Sequence, residues 1–488
     1  MTTEADPGLS PAFPQRALDM AAKGGLAFMG EAPNITGRDP VMRFPRPLGE
    51  AAATAIALCG DAAAEIWRRR TGQSQSVRVD VRAAAASLAG YAYLRLTPGE
   101  GARAEDWEAE PGGWRAWGAR SVLRGENASN PAVGIYRCAD GRWIHLHGGL
   151  PHLAERLLEV LDTDPAGIAT AVGRWHSDDL EETLAEAETC GAIVRTAAEW
   201  RDHPVAQSLR DRPVVELHRI GEALPVPLPA GGAPLSGLKV LDLSSALAGP
   251  TCARTLAEHG AEVLHVAAAG RRDRQPFLAD TGHGKRSTAL DLKTDRGREK
   301  LVELLRDADV ICQSYRTGAL DRLGFGANQV AALRPGIIYL SINCYGHDTA
   351  WSGRRGWEGL AQAATGVTVP GTDGRPPRLA PCSCCDYLTG YLAARGVMEA
   401  LLRRSREGGS WHVRASLCQT GMWLTRLGTV PEHMAPAEPD LFEDLLVESR
   451  TPFGRLRHLP PVTDMDITPP RRRRPPPLPG ADPPAWTE

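Results

Sequence analysis

Three places in the sequence combine residue types that could do chemistry. In PCSCCDYLTG (Pro381 to Gly390), Asp386 stands directly before a long apolar run with helical spacing. Taken alone, a carboxylate there reads as an N-cap, accepting a free N–H of the first turn. In ALAGP (Ala246 to Pro250), between a strand and a helix, backbone N–H groups at the helix start could meet a phosphate, and Pro250 suits the first turn. This turn fails as a dinucleotide fingerprint: GxGxxG is absent, and the following strand ends in Ala267 and Ala268 where an acidic residue would hold a ribose. Third, basic residues follow the strands: Arg271, Arg272 and Arg274, Lys285 and Arg286, Lys293, Arg322, and Arg354 and Arg355. Loops at the carboxyl ends of parallel strands converge on one rim, so these could surround a phosphate-rich ligand, or they are solvated surface charge. Cys382, Cys384 and Cys385 crowd the Asp386 motif, but their spacing matches no zinc knuckle and no second CxxC or HxxxH pair accompanies them. No metal is expected, and the thiols read as buried small hydrophobes.

The elements that must position these residues come from a chain of 488 residues, too long for one ordinary domain. It is 42% hydrophobic and 24% charged, within the range of globular proteins. Lys+Arg 56 against Asp+Glu 59 leave a formal charge of -3, so no bulk field draws the protein to nucleic acid or an anionic membrane. No apolar run approaches the roughly 20 residues that span a bilayer. The start, MTTEADPGLSPAF, has neither a basic leader nor an apolar h-region. A cytoplasmic home is expected, where the ten cysteines stay thiols.

A polar leader runs over residues 1–47, and an Ala- and Leu-dense helical segment over 48–110. GIYRCADGRWIHLHGG reads as a β-hairpin about Asp140-Gly141 and opens the core of a small domain over 111–232. LPVPLPAGGAPLSG reads as a linker, placing a boundary near residue 232. Beyond it, KVLDLS, EVLHVA, TALDL, DVICQSY and GIIYLSINCYG alternate with helical patterns. Continuous apolar strands between helices predict an α/β fold with a parallel, doubly wound sheet over 235–440. Residues 441–488 read as a Pro- and Arg-rich tail, and TPPRRRRPPPLPG within it as a solvated extended terminus.

RRRTGQSQSVRVDV (Arg68 to Val81) and RSREGGSWHVRASL (Arg404 to Leu417) share Arg, a Gly-containing turn, Ser and a Val-Arg strand at an offset of 336 residues. Each follows an Ala/Leu-rich helix, and Glu50 stands opposite Asp386. The first half reads either as a decayed copy of a unit in the second, or as generic helix–turn–strand chemistry.

GLKVLDLSSALAGPTCARTLAEHGAEVLHV, GKRSTALDLKTDRGREKLVELLRDADVICQSYRTGALDRLGFG, RPGIIYLSINCYG and DYLTGYLAARGVMEALLRRSREGGSWHVRASL, taken together and in order, resemble the class III CoA-transferase family. The family includes formyl-CoA transferase, carnitine CoA-transferase and methylacyl-CoA racemases. The resemblance implies a Rossmann-like CoA-binding catalytic domain, a smaller α+β domain, and an expected homodimer. The small domain precedes the CoA-binding portion here, so the resemblance implies a permuted or partly duplicated arrangement.

It further implies an acyl-CoA:carboxylate CoA-transferase with no permanently bound cofactor, CoA thioester and a small carboxylic acid being substrates. Asp386 matches the aspartate that attacks the thioester. A carboxylate with an ordinary pKa of about 3.9 would already be ionised at neutral pH. The CoA-contacting positions that match are Ala246, Leu247 and Ala248 at the turn, Leu290 and Lys293 in TALDLK, Tyr315 and Arg322 in SYRTGALDR, and Arg355. Lys293 and Arg322 are the expected phosphate partners. Leu247, Ala268 and Ser314 depart from the formyl-CoA enzyme, and its glycine-rich loop has no counterpart. The racemase histidine corresponds to Trp357 of Gly356-Trp357-Glu358, which disfavours racemisation. His347 of Gly346-His347-Asp348 reads as a turn residue, and Glu358 as lining the acyl pocket.

Overall fold

The computed structural model describes residues 15–124, 130–270, 273–371, 375–435 and 442–487. Its centre is a seven-stranded sheet. The strands are β1 (Val215–Gly221), β2 (Lys239–Asp242), β3 (Glu262–Ala268), β4 (Lys285–Leu290), β5 (Val310–Gln313), β6 (Ile338–Asn343) and β7 (Ser410–Ser416), in the order β4-β3-β2-β5-β6-β7-β1. Strands β2 to β7 are parallel, and β1 closes one edge antiparallel to β7. The order reverses between β2 and β5, the position at which open α/β sheets place their ligands, at the carboxyl ends of the strands.

The strands are apolar on both faces because both faces are covered. Val240, Val263, Cys312, Leu340 and Val413 enter one core, while Leu241, Leu264, Ile311 and Tyr339 enter another with the helix Asp295–Asp307. Four helices matter most for the site: α1 (Leu48–Thr71), α2 (Ala248–Glu258), α3 (Glu358–Thr365) and α4 (Cys384–Glu407). α4 is apolar on nearly every side since it lies between the sheet, α2 and α1. Gly390 permits the close approach: a Cβ there would sit 2.5 Å from the Ala248 carbonyl oxygen.

The small domain folds about its own core. Its hairpin Val133–Arg137 with Trp143–His147 turns at Asp140-Gly141, where Gly141 takes φ 82°, and Gly191–Ile193 adds a third strand. Leu153, Cys190 and Ala192 then pack on Leu360 and Ala363 of α3, so the small domain seats on the helix that begins with Glu358.

Three expectations are corrected. The described part of the leader, residues 15–47, is built into the core: Gln15–Lys23 is a helix, Asn34–Thr36 is a strand, and Phe44 is fully buried. The 48–110 segment includes strands Val77–Asp80 and Arg95–Pro98 as well as helices. The terminus is extended and largely exposed, as its composition suggests, yet it is tied to the sheet and is not free. Val447–Thr451 pairs with Gly454–His458, which in turn pairs with Arg95–Pro98, and the Pro-rich run lies along β4, where Asp482 N–H donates to the Ser287 carbonyl and Gly284 N–H to the Arg474 carbonyl. The open edge of β4 supplies backbone groups that need partners, which composition alone does not reveal. Among the described residues no helix is long and apolar enough to cross a membrane.

Candidate active site

Asp386 lies in the first turn of α4, and its role is not that of the N-cap. Helix termini leave N–H groups without intrahelical partners. Here Glu358, at the start of α3, supplies them: its carboxylate accepts the N–H of Cys385 at 3.0 Å and of Asp386 at 2.6 Å. Gln362, one turn along α3, donates to Glu358 Oε1 at 2.6 Å and accepts the Ala380 N–H at 2.7 Å, fixing the carboxylate and the approach to α4 together. The Asp386 carboxylate is thereby left half-buried and accepts no hydrogen bond or ion pair among the described residues. Burial pushes its pKa up to about 7, with Cys384 beside it adding to the rise. Full ionisation at neutral pH, expected from the ordinary aspartate value, is therefore corrected: burial favours the protonated form of this carboxyl. Burial also raises Glu358 well above the usual carboxylate range.

The wall on the far side of α4 comes from the first half of the chain. Ser383 N–H donates to the Leu88 carbonyl at 2.9 Å, and Tyr91 N–H to the Tyr387 hydroxyl at 3.2 Å. Tyr387 donates to Asp280 at 2.7 Å, which in turn is paired with Arg254 at 3.1 Å. On the other side the small domain brings His145 against Gly359 and stacks His147 on Trp357 at 5.7 Å between centroids. Burial pushes both histidines down, to about 3 and about 4, so they are neutral. Glu188 of the small domain pairs with Arg355 at 3.0 Å and with Arg316 at 3.5 Å.

The matched CoA positions fall on the carboxyl edge of the sheet. Ala246, Leu247 and Ala248 form the turn from β2 into α2, and Ser245 N–H donates to Ser314 Oγ after β5 at 3.1 Å. Ala246 holds φ 64°, a left-handed conformation that a non-glycine residue keeps only where its surroundings demand it. The turn is anchored by Asp242, buried against Lys285 at 2.7 Å, with Lys285 also donating to the Pro250 carbonyl at 2.9 Å. Lys285 and Arg286 begin β4 at its amino end, so they do not join the rim. Arg286 pairs instead with Glu262 and Asp482. Lys293 and Arg322 are exposed, and neither side chain has a partner among the described residues. Leu290 and Tyr315 pack into the second core. Arg355 is held by Glu188 toward the small domain. Arg274 lies over Trp117 and Phe277, and Arg271 and Arg272 lie outside the described residues. A cleft beside the turn is lined by Ser245, Ala246, His265, Phe277, Pro477 and Pro479, so the C-terminal run reaches it.

Glu358, Cys384 and Cys385 bring ligand-type atoms within 4.8 Å of one another. Both Glu358 oxygens already accept N–H groups, which makes this carboxylate a helix-terminus partner. His347 lies in a turn, as expected, with Nε2 2.7 Å from Ser341 Oγ. Tyr91, Asp280, Arg254 and Glu188 escaped sequence reasoning because each acts across a long separation with no motif of its own.

A seven-stranded sheet with a carboxylate at the mouth of its central helix and a small domain seated beside it defines the class of protein. The chain belongs to CoA-transferase family III, whose family description matches residues 15–229 and 235–441. The sequence is similar to an acetyl-coenzyme A transferase of Hypoxylon pulicicidum, 34% identical over 61% of this chain and 55% of that protein. It also resembles a succinyl-CoA:mesaconate CoA-transferase of Haloarcula hispanica, 32% identical over 43% of this chain and 60% of that protein. A solved CAIB/BAIF family protein from Brucella suis is 30% identical over 39% of this chain and 55% of that one, at a TM-score of 0.37. The chain thus spans a little over half the length of these relatives.

Proposed function

We propose that this protein moves CoA from an acyl-CoA thioester to a carboxylic acid through an acyl anhydride on Asp386. The observation that carries the reading is the Asp386 carboxylate itself: it stands at a helix start, its neighbouring N–H groups are satisfied by Glu358, and its own oxygens are unengaged among the described residues. In the first step an Asp386 oxygen attacks the thioester carbonyl and CoA leaves as thiolate. The thiolate then attacks the aspartyl carbonyl, releasing the donor acid and leaving an aspartyl-CoA thioester. The acceptor carboxylate attacks that thioester, and the expelled thiolate takes the acceptor's acyl group, restoring Asp386. Each step exchanges one acyl bond for another, so neither redox chemistry nor a resident cofactor enters. Lys293 and Arg322 hold the CoA phosphates, and the Ala246 to Ala248 turn receives the nucleotide at a helix start. The relatives named for acetyl-CoA and for succinyl-CoA with mesaconate support small acyl donors and acceptors.

Trp357 supports transfer over racemisation, because indole cannot exchange a proton as a paired histidine would. The test is turnover of a panel of acyl-CoA thioesters with and without acetate or succinate, read by chromatography of the CoA products. New thioester that forms only when the acceptor is present is the expected result. Deuterium entering the α-carbon without any acceptor would sink the proposal.

A further inference from the structure

The offset of 336 residues extends from sequence into hydrogen-bond geometry. α1 and α4 each have 24 residues and start and stop at equivalent positions. Gly72 N–H caps the Arg68 carbonyl just as Gly408 N–H caps that of Arg404. Gly60 faces Val77 where Gly396 faces Val413. In the helices that follow, Asp80 accepts the Ala83 N–H at 2.9 Å and Ser416 the Gln419 N–H at 3.2 Å. Arg78 pairs in parallel with Asn34, and Arg414 with Ser341. Above all, Asp39 accepts the N–H of Gly49 at 3.3 Å and of Glu50 at 2.7 Å, at the positions equivalent to the Cys385 and Asp386 groups that Glu358 accepts. Generic helix–turn–strand chemistry does not require a carboxylate from outside the helix to bind the same two N–H groups.

We infer that the first half of the chain is a silent second copy of the reaction unit, in which Asp39 and Glu50 stand where Glu358 and Asp386 stand, and Arg16 closes the site. Glu50 is wholly buried, and its carboxylate is paired with Arg16 at 2.6 Å while also accepting the Asp39 N–H at 3.3 Å. Asp386, by contrast, is half-buried with oxygens that no described residue engages. Among the described residues the first copy has two parallel strands, Asn34–Thr36 and Val77–Asp80, where the second has six. It therefore has no ALAGP turn and no rim of basic residues for a nucleotide. Its remaining work is structural: Leu88 and Tyr91, just beyond the repeated unit, grip the start of α4. One chain is thus an internal pair with one reaction centre.

This inference rests on Asp386 as the reacting carboxylate, so its test includes readouts that do not need turnover. Calorimetric titration of the full chain with CoA is expected to give one site per chain, and two sites would overturn the inference. In a thermal double-mutant cycle, Arg16→Met and Glu50→Gln should each lower Tm by several degrees, with the double variant recovering most of the loss. Additive losses would show that the pair does not close the site. Transfer by folded Glu50→Gln should stay within about twofold of the parent, whereas Asp386 variants lose it. A loss above tenfold in Glu50→Gln would give Glu50 a reactive role and overturn the proposal. If the parent transfers no CoA at all, the Asp386 reading fails, and the titration and thermal cycle still decide this one.

Discussion

Replacing Asp386 by Asn separates what the carboxylate does for chemistry from what it costs the fold. The substitution keeps the shape of the side chain and removes its charge. In the folded protein the carboxyl pKa stands at about 7 against an ordinary 3.8. Between those pH values the folded state keeps a proton that the unfolded chain has lost, so stability falls as pH rises from about 4 to about 7. At roughly 1.36 kcal/mol per pKa unit, the full penalty above pH 7 is of the order of 4 kcal/mol. Because the side chain is only half-buried, solvent screens part of this, and a realised gain of about 2 kcal/mol for Asp386→Asn at pH 8 is expected. Urea denaturation of both proteins from pH 4 to pH 8 measures it: the two curves should nearly coincide at pH 4 and separate with rising pH. CoA transfer by the same variant should fall by about 10³-fold or more, since an amide is a poor nucleophile. A variant that is less stable at pH 8, or whose gain is independent of pH, would refute the reasoning.

The remaining predictions concern the same site. Plotted against pH, kcat/KM should rise through about 7, because only the deprotonated Asp386 attacks; a flat profile from pH 5.5 to 8.5 would contradict the shift. Glu358→Ala should cost about 1–3 kcal/mol in urea denaturation, since it strips a buried partner from the N–H groups of Cys385 and Asp386. Gly390→Ala should destabilise by about 1–3 kcal/mol and weaken transfer, because the added Cβ meets the Ala248 carbonyl and pushes α4 from the turn. Lys285→Met removes the lysine from the buried Asp242, leaving only Ser244 and His265 beside its carboxylate, and should cost about 3–5 kcal/mol, seen as a lowered urea midpoint.

The strands of the large sheet were legible because both their faces are buried, which writes continuous apolar runs such as KVLDL and GIIYLSI into the sequence. β1 was not: VELHRIG at an edge alternates polar and apolar residues and depends on β7 for its partner. The place of Asp386 at a helix start was legible from the motif around it, whereas Glu358 as the partner of the α4 terminus was not, since the carboxylate and the N–H it accepts are 28 positions apart. The displaced aspartate pKa could not be read from a reference value, because burial is a property of the fold. The tail misled because its Pro and Arg composition suits solvent, yet Asp482, Pro483 and Ala485 meet Ser287 and Arg286 of an open sheet edge. Lys285 misled for the opposite reason: a lysine close in sequence to the rim turned inward to a buried aspartate.

The central claim is that Asp386 carries the acyl group. Mixing the protein with an acyl-CoA and hydroxylamine in the absence of acceptor, then locating the modified residue by peptide mass spectrometry, tests it directly. A hydroxamate on Asp386, formed together with stoichiometric free CoA, is the predicted result. Free CoA with an unmodified Asp386, or modification of a cysteine in its place, would contradict the account.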